Sequence, residues 1–361
     1  MISEFVILEI ELVVIVLLPL LISMFLSRFI FKNAVKLGAL DNPEGRKIHS
    51  TPTPSLGGVA VLGAVVLGSL PFVHFDSHDT LLFTLACTVS LTILGVYDDL
   101  KDSSPIFRLL VEIALVTVLF HFTELSISPL MYYFEIHSLP FWLDWFLTVL
   151  LCVAMINAFN FMDGINGLSG GIFAINFAIL SVCFYLHHDY ELMVLTGLAS
   201  AGTLGFLRFN FNKAKIFLGD CGSISLGFLN VVCVLFLMDR TKTVEIGNFS
   251  FDAVAIVTLL IIPAIDMVKV VVQRVLKGKS PMVGDRTHLH HLVLEKTNSH
   301  LKATIIILSA HVALITTLMV KLSFKIHLLF SIPLLLAFFI LLYSIIDMGN
   351  VKIKNGRVIT N

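Results

Sequence analysis

Four polar clusters interrupt otherwise apolar stretches of this sequence, and each is built from residue types that can do chemistry. The first is Gly95-Val-Tyr-Asp-Asp-Leu-Lys-Asp102, with adjacent carboxylates at Asp98 and Asp99. Such a pair binds a cation or takes a proton from a nearby acid. A solvated helix stop is the structural alternative, although Asp is unfavourable at a helix C-terminus, where the dipole is already negative. The second cluster runs from Asn157 to Gly167 as Asn-Ala-Phe-Asn-Phe-Met-Asp-Gly-Ile-Asn-Gly. Its amide and carboxylate oxygens are hard ligands that suit Mg²⁺, and its glycines let a polar group approach the backbone. Loop capping alone does not need this density of polar groups. The third, Phe217-Leu-Gly-Asp-Cys-Gly-Ser223, sets Asp220 between glycines just before a predicted helix. Asp220 either caps that helix or carries a metal while the free amides of the helix N-terminus meet a phosphate. The fourth, Asp285-Arg-Thr-His-Leu-His-His291, groups Arg286, His288, His290 and His291. The zinc patterns HExxH and CxxC…HxxxH are absent, and Arg and His donors fit a phosphorylated, sugar-bearing ligand better.

The elements that must position these clusters follow from composition. Of 361 residues, 57% are apolar and 14% charged, whereas a soluble domain is roughly 45–50% apolar and about a quarter charged. This balance excludes a disordered chain, a nucleic-acid binder and an ordinary soluble enzyme. Spanning a bilayer takes about 20 mostly apolar residues. Such runs occur at about 5–31, 56–75, 80–97, 106–123, 139–159, 165–187, 191–211, 221–238, 251–273, 303–320 and 328–347. The expected fold is therefore all-α: a polytopic integral membrane protein of about 11 transmembrane helices with its active site at the cytoplasmic face. It forms one transmembrane domain over 1–361, with cytoplasmic loops at about 32–55, 98–108, 160–166, 208–220 and 274–302. An open sheet at membrane depth is excluded, because unpaired backbone groups there cost several kcal/mol each. The five cysteines are odd in number, lie mostly in apolar runs and form no CxxC, so they read as buried thiols. The N-terminal run is too long for a cleavable signal peptide and has no basic region before it.

Charge placement orients the helices. With eleven spans and the N-terminus outside, only Arg240, Lys242, Lys321 and Lys325 of the 24 Lys and Arg lie outside, and the other 20 lie inside. That asymmetry is the one expected of cytoplasmic loops, and it puts all four clusters on the inner side. The charges within spans are Glu9, Glu11, Glu112, Asp144, Asp266, Lys269 and His311, most of them near a span end. Asp266 follows Pro263 toward the inner face and is a candidate to join the site. His311 alone is mid-span and reads as a satisfied core histidine. Transporters gather their charges and broken helices near the midplane. Chemistry gathered at the inner interface suits an enzyme that takes a lipid from the bilayer and a soluble substrate from the cytoplasm. A secondary transporter of a nucleotide sugar or organic anion is the alternative. An assembly scaffold would leave the clustered carboxylates unexplained.

Several stretches in a fixed order carry a resemblance: Pro54-Ser-Leu-Gly-Gly58, Asp98-Asp99, Asn157-Ala-Phe-Asn160 with Asp163-Gly-Ile-Asn-Gly167, Phe217–Ser223, and Arg286-Thr-His-Leu-His-His291. From Pro43 through His291 the chain resembles the polyprenyl-phosphate N-acetylhexosamine-1-phosphate transferases. It is most similar to the bacterial undecaprenyl-phosphate N-acetylglucosamine-1-phosphate branch that starts O-antigen and related surface glycans. The muramoyl-pentapeptide branch matches less well, because it carries Lys before the Thr-Pro-x-x-Gly-Gly segment, where this chain has Pro52-Thr-Pro-Ser-Leu-Gly-Gly58 after His49-Ser-Thr. The resemblance implies transfer of a sugar-1-phosphate from a UDP-N-acetylhexosamine to undecaprenyl phosphate, with release of UMP. It implies Mg²⁺, replaceable by Mn²⁺, held by Asp220 and Asn160. It also implies a place in the bacterial inner membrane among its lipids, with the N-terminus periplasmic and the C-terminus cytoplasmic. Asp98, Asp99 and Asp163 are then the candidate catalytic carboxylates. Asn166, Arg286, His288, His290 and His291 are the candidates for the nucleotide sugar, with Asn166 near the uracil. Close bacterial relatives carry Asp where this chain has Asn166. Holding the attacking lipid phosphate requires cations, for which Arg46, Lys101 and Arg108 are the candidates.

Overall fold

The computed structural model describes residues 2–41, 52–72, 79–101, 103–123, 125–132, 136–240, 244–246, 249–251, 256–276, 278, 287–319, 352–354 and 357–359. Helices dominate: α1 Ile2–Leu37, α2 Gly57–Ser69, α3 Asp79–Lys101, α4 Pro105–Thr123, α5 Ser128–Tyr132 and α6 Phe141–Met162. They continue as α7 Leu168–Leu186, α8 Tyr190–Asn210, α9 Asp220–Arg240, α10 Ile261–Leu276, α11 Leu289–Thr297 and α12 His300–Met319. Among the described residues, eight helices are long and apolar enough to cross a membrane: α1, α3, α4, α6, α7, α8, α9 and α12. The expected run at 56–75 is a shorter apolar helix, Gly57–Phe72, whose last turn is 3₁₀. The run expected at 328–347 lies outside the described residues.

The run expected at 251–273 is helical from residue 256 onward. Its first residue closes a hairpin of β3 (Val244–Ile246) and β4 (Phe249–Phe251), and a 3₁₀ turn at Thr258–Leu260 precedes α10. Pro263 sits in the first turn of α10, where a missing N–H costs no helical bond.

Helix α9 is the axis of the bundle, with every residue from Cys221 to Met238 buried. Helices α2, α3, α6 and α7 surround it. At its start the packing is backbone on backbone. A side chain at Gly58 would strike the backbone of Gly222, and one at Gly95 would strike that of Cys221. In lipid, helices associate largely through such close approach of small residues. Large apolar side chains stay exposed on α1, α4 and α6, including Phe25, Phe107 and Phe146, which is the surface that hydrocarbon requires.

A short strap outside the spans ties α2 to α9. Strand β1 (Leu40–Asp41) pairs with β2 (Thr53–Pro54), and the Phe217 N–H donates to Pro54 O at 2.7 Å. Gly57 and Gly58 N–H groups return bonds to Phe217 O and Leu218 O at 2.9 and 2.8 Å. All five cysteines are free and buried. His311 is buried mid-span, and its Nε2 lies 2.7 Å from Asn176 Oδ1. The Asn176 amide in turn donates to Leu259 O at 2.8 Å.

Candidate active site

The C-terminal ends of α3 and α6 meet the N-terminal ends of α4 and α9, and this junction gathers the first three clusters. Arg108, in the first turn of α4, donates through Nη1 to Asp98 Oδ2 at 3.0 Å and to Asp220 Oδ2 at 3.1 Å. Carboxylates from α3 and α9 thus converge on one positive charge. Asn160, near the end of α6, donates to Asp220 Oδ1 at 2.8 Å and to Ser223 Oγ at 2.9 Å. Asp98 also accepts the Ser103 N–H at 2.6 Å.

Asp99 faces elsewhere. Its two oxygens accept the Asp220 and Cys221 N–H groups at 3.0 and 3.1 Å, so a carboxylate from α3 caps α9. The Gly222 and Ser223 N–H groups are bonded to Gly219 O. The expectation that these amides stand free for a phosphate is therefore corrected, as is the idea that Asp220 caps its own helix. Gly219 makes the arrangement feasible: its φ is +74°, and a side chain there would collide with Ser55 O and crowd Asp99.

Sequence reasoning identifies Glu112 only as a charge within a span. It is fully buried one turn beyond Arg108, where its Oε1 lies 3.8 Å from Arg108 Nε. Its Oε2 accepts the Asn157 amide at 2.7 Å. The Arg108–Glu112 spacing, with both side chains on one face of α4, was the available signal.

The turn after α6 carries Asp163, whose N–H donates to Asn160 O at 3.2 Å. Loss of water around its carboxyl pushes it up to about 7, and the charge of Asp220 adds to the rise. Asn166 is pinned on three sides. Its amide donates to Asn212 O at 2.8 Å, its carbonyl accepts Thr304 Oγ1 at 2.7 Å, and its N–H meets His300 Nδ1 at 3.3 Å. An Asp could not make the first of these bonds.

The histidine cluster joins the junction through α11. His290 is almost wholly buried, with its ring against Gly164, where a side chain would strike Nε2. Burial pushes its imidazole down to about 3, with His291 beside it adding to the effect. Neither of its ring nitrogens has a hydrogen-bond partner among the described residues. His288 lies with Nδ1 2.9 Å from Asp266 Oδ2, so Asp266 does approach the site. His291 is half-buried, and Lys101 is exposed at the end of α3. Arg46 and Arg286 lie outside the described residues.

The residues present fit a magnesium ion. Mg²⁺ takes one or two carboxylates and leaves its other positions to water and substrate phosphates. Asp98 and Asp220 converge on a single cationic group, with the Asn160 amide alongside. A zinc site needs about four N or S ligands. Among the described residues no three of His, Cys, Asp or Glu form a metal-holding group, so a magnesium ion here would need water and substrate phosphates to complete its shell.

Residues 81–238 match glycosyl transferase family 4. A probable undecaprenyl-phosphate N-acetylglucosaminyl 1-phosphate transferase of Bacillus subtilis is 28% identical across 96% of this chain and 95% of its own length. The undecaprenyl-phosphate alpha-N-acetylglucosaminyl 1-phosphate transferase of Escherichia coli is 33% identical across 76% of this chain and 75% of its own. A decaprenyl-phosphate N-acetylglucosaminephosphotransferase of Mycolicibacterium smegmatis is 28% identical, across 82% and 79%.

Proposed function

The chain belongs to the polyprenyl-phosphate N-acetylhexosamine-1-phosphate transferases of glycosyl transferase family 4, and from that membership we propose its reaction. It transfers N-acetylglucosamine-1-phosphate from UDP-N-acetylglucosamine to undecaprenyl phosphate. An oxygen of the lipid phosphate attacks the phosphorus that bears the sugar. The bond from that phosphorus to the oxygen of UMP breaks, and UMP leaves with the electron pair. The product is a lipid diphosphate sugar. None of the relatives named above is a transporter, and the transporter alternative has no support.

The observation that carries this reading is Arg108 bridging Asp98 and Asp220 beside Asn160. Bringing a phosphate onto a diphosphate gathers several negative charges, and stabilising them is most of the catalytic task. Asp220 and Asn160 are the residues that would hold Mg²⁺, which when bound would neutralise diphosphate charge and the departing UMP. Arg108 carries a planar fork that can hold a phosphate by two parallel bonds once it turns from the carboxylates. Lys101, at the water-facing end of α3, adds a second cation for the lipid phosphate. Asp98 and Asp163 are carboxylates that can take a proton remaining on the attacking phosphate. Asp99 acts through the structure, by fixing the helix that presents Asp220.

On this reading the protein works in the bacterial inner membrane, with the active-site end of the bundle in the cytoplasm. The test is purified protein with undecaprenyl phosphate and a panel of UDP-sugars, with and without Mg²⁺. Release of UMP with UDP-N-acetylglucosamine and Mg²⁺ is expected. Nucleotide-sugar uptake by reconstituted vesicles without UMP release would reverse the assignment.

A further inference from the structure

Asp266 has no part in the chemistry above, yet it is a buried carboxylate at the edge of the site. Its two oxygens do two things. Oδ2 lies 2.9 Å from His288 Nδ1, and Oδ1 accepts the Leu289 N–H at 2.7 Å. Asp266 and His288 are both buried, at 3% and 6% exposure. A carboxylate only accepts, so the ring nitrogen facing it must carry the hydrogen. One side chain therefore sets the start of α11 and the hydrogen position on its histidine. The segment is held further by Lys269, one turn along α10, whose Nζ donates to Thr287 O at 3.1 Å. Phe161 packs beside the His288 ring at 5.9 Å between centroids, and His290 stacks on it at 5.7 Å. His290 in turn lies against Gly164, next to Asp163, whose carboxyl feels the charge of Asp220.

We propose that Asp266 is a positioning residue for the sugar donor: it holds His288 as the Nδ1–H tautomer, so that Nε2 offers a lone pair to a hydroxyl of the donor sugar. The proposal rests on the transferase reading. A backbone cap alone would need one oxygen and would be indifferent to the state of the ring. The second oxygen on Nδ1 is what selects the tautomer, and a histidine's two nitrogens differ by which of them donates. The phosphates already have Arg108 and the carboxylate-held cation, so an acceptor nitrogen matches the hydroxyls of the sugar.

The discriminating variant is Asp266→Asn in the full-length protein. The amide keeps the shape and one acceptor but can turn an N–H toward Nδ1, which drives the ring hydrogen to Nε2. In serine proteases the same Asp-to-Asn change behind the catalytic histidine leaves the geometry intact and sets the wrong tautomer. Nitrogen NMR of ¹⁵N-histidine-labelled protein, with the His288 signal identified by its loss in His288→Gln, should show the switch from Nδ1–H to Nε2–H. The KM for UDP-N-acetylglucosamine should rise about tenfold or more, while that for undecaprenyl phosphate stays within about twofold. Asp266→Glu should restore part of the donor affinity. If Asp266→Asn does not fold, His288→Gln alone should show the same donor-confined defect. An unchanged tautomer, or an equal rise in both KM values, overturns the proposal. Failure of the parent protein to release UMP would sink the transferase reading itself, and the tautomer signal would then decide the Asp266 pairing by itself.

Discussion

Adjacent in the chain, Asp98 and Asp99 reach different partners: Asp98 meets Arg108 and the Ser103 amide, and Asp99 meets the first amides of α9. Asp98→Asn should therefore lower turnover by about 10²–10⁴-fold, the range for loss of a proton acceptor, with little change in thermal midpoint. Asp99→Asn should instead lose about 1–2 kcal/mol of stability as a damaged cap, read as a lower midpoint in detergent. The two variants behaving alike would refute this division. Asp220→Asn should cost several kcal/mol of charge stabilisation and weaken Mn²⁺ binding followed by electron paramagnetic resonance. Near-parental turnover at limiting metal would remove Asp220 from the metal site. Asp163 gives a pH dependence. Because the fold favours its protonated form, it costs stability as pH rises from about 4, where the unfolded chain ionises, to about 7, where the folded chain does. The thermal midpoint should fall over that window, and less so in Asp163→Asn. An identical slope in the variant would show that another group is responsible. The motif carboxylates are legible in the sequence because they break apolar runs. Their partners are not: Glu112 bonds an Asn 45 residues away, and adjacency says nothing about which way two side chains turn.

The elements were legible where about 20 apolar residues run together, because nothing but a helix satisfies its own backbone in hydrocarbon. The run at 251–273 starts a few residues early because a short apolar stretch has no periodicity to separate the end of β4 from a helix. Helices α5 and α11 lie in segments polar enough to read as loops. What apolarity does not reveal is how closely two helices approach. Gly58 and Gly222 meet backbone to backbone, so either changed to Ala must spread α2 and α9 apart. Each variant should cost at least the roughly 1–3 kcal/mol of an overpacked core, with a lower thermal midpoint and weaker metal binding, since α9 presents Asp220. Normal midpoints in both would contradict the packing. Gly164 and His290 form a second such contact, and it can be tested by rescue. Gly164→Ala should depress activity because its methyl group meets the His290 ring, and His290→Ala in the same chain should restore much of it by opening that space. A double variant no better than Gly164→Ala would mean that the ring is not what the new methyl strikes.

At the scale of the whole molecule, the described polar contacts gather toward the two ends of the bundle and do different work at each. One end holds Asp98, Arg108, Asn160, Asp220 and the histidine segment. At the other end, reached by following α4 and α9 away from the site, Ser126 donates to Asp144 at 2.7 Å and Arg240 pairs with Asp189 at 2.6 Å. These far-end contacts tie neighbouring helix ends together, and the Arg240–Asp189 pair balances its own charge. The near end is different, since Arg208, Lys213 and Lys215 stand exposed around the loop between α8 and α9. Excess Lys and Arg favour a cytoplasmic loop, and the proposed nucleotide-sugar donor would be met on that side, so loop charge and the proposed reaction call for the same orientation. The protein suits a labelling test because its five native cysteines are buried. Ser138 and Lys213 are exposed, at the far and near ends respectively. A membrane-impermeant maleimide should label Ser138→Cys in intact cells and Lys213→Cys only after the inner membrane is opened. Labelling of both from the same side would break the alternation of the helices. Labelling of Lys213→Cys alone in intact cells would turn the whole bundle over and separate the site from its cytoplasmic donor.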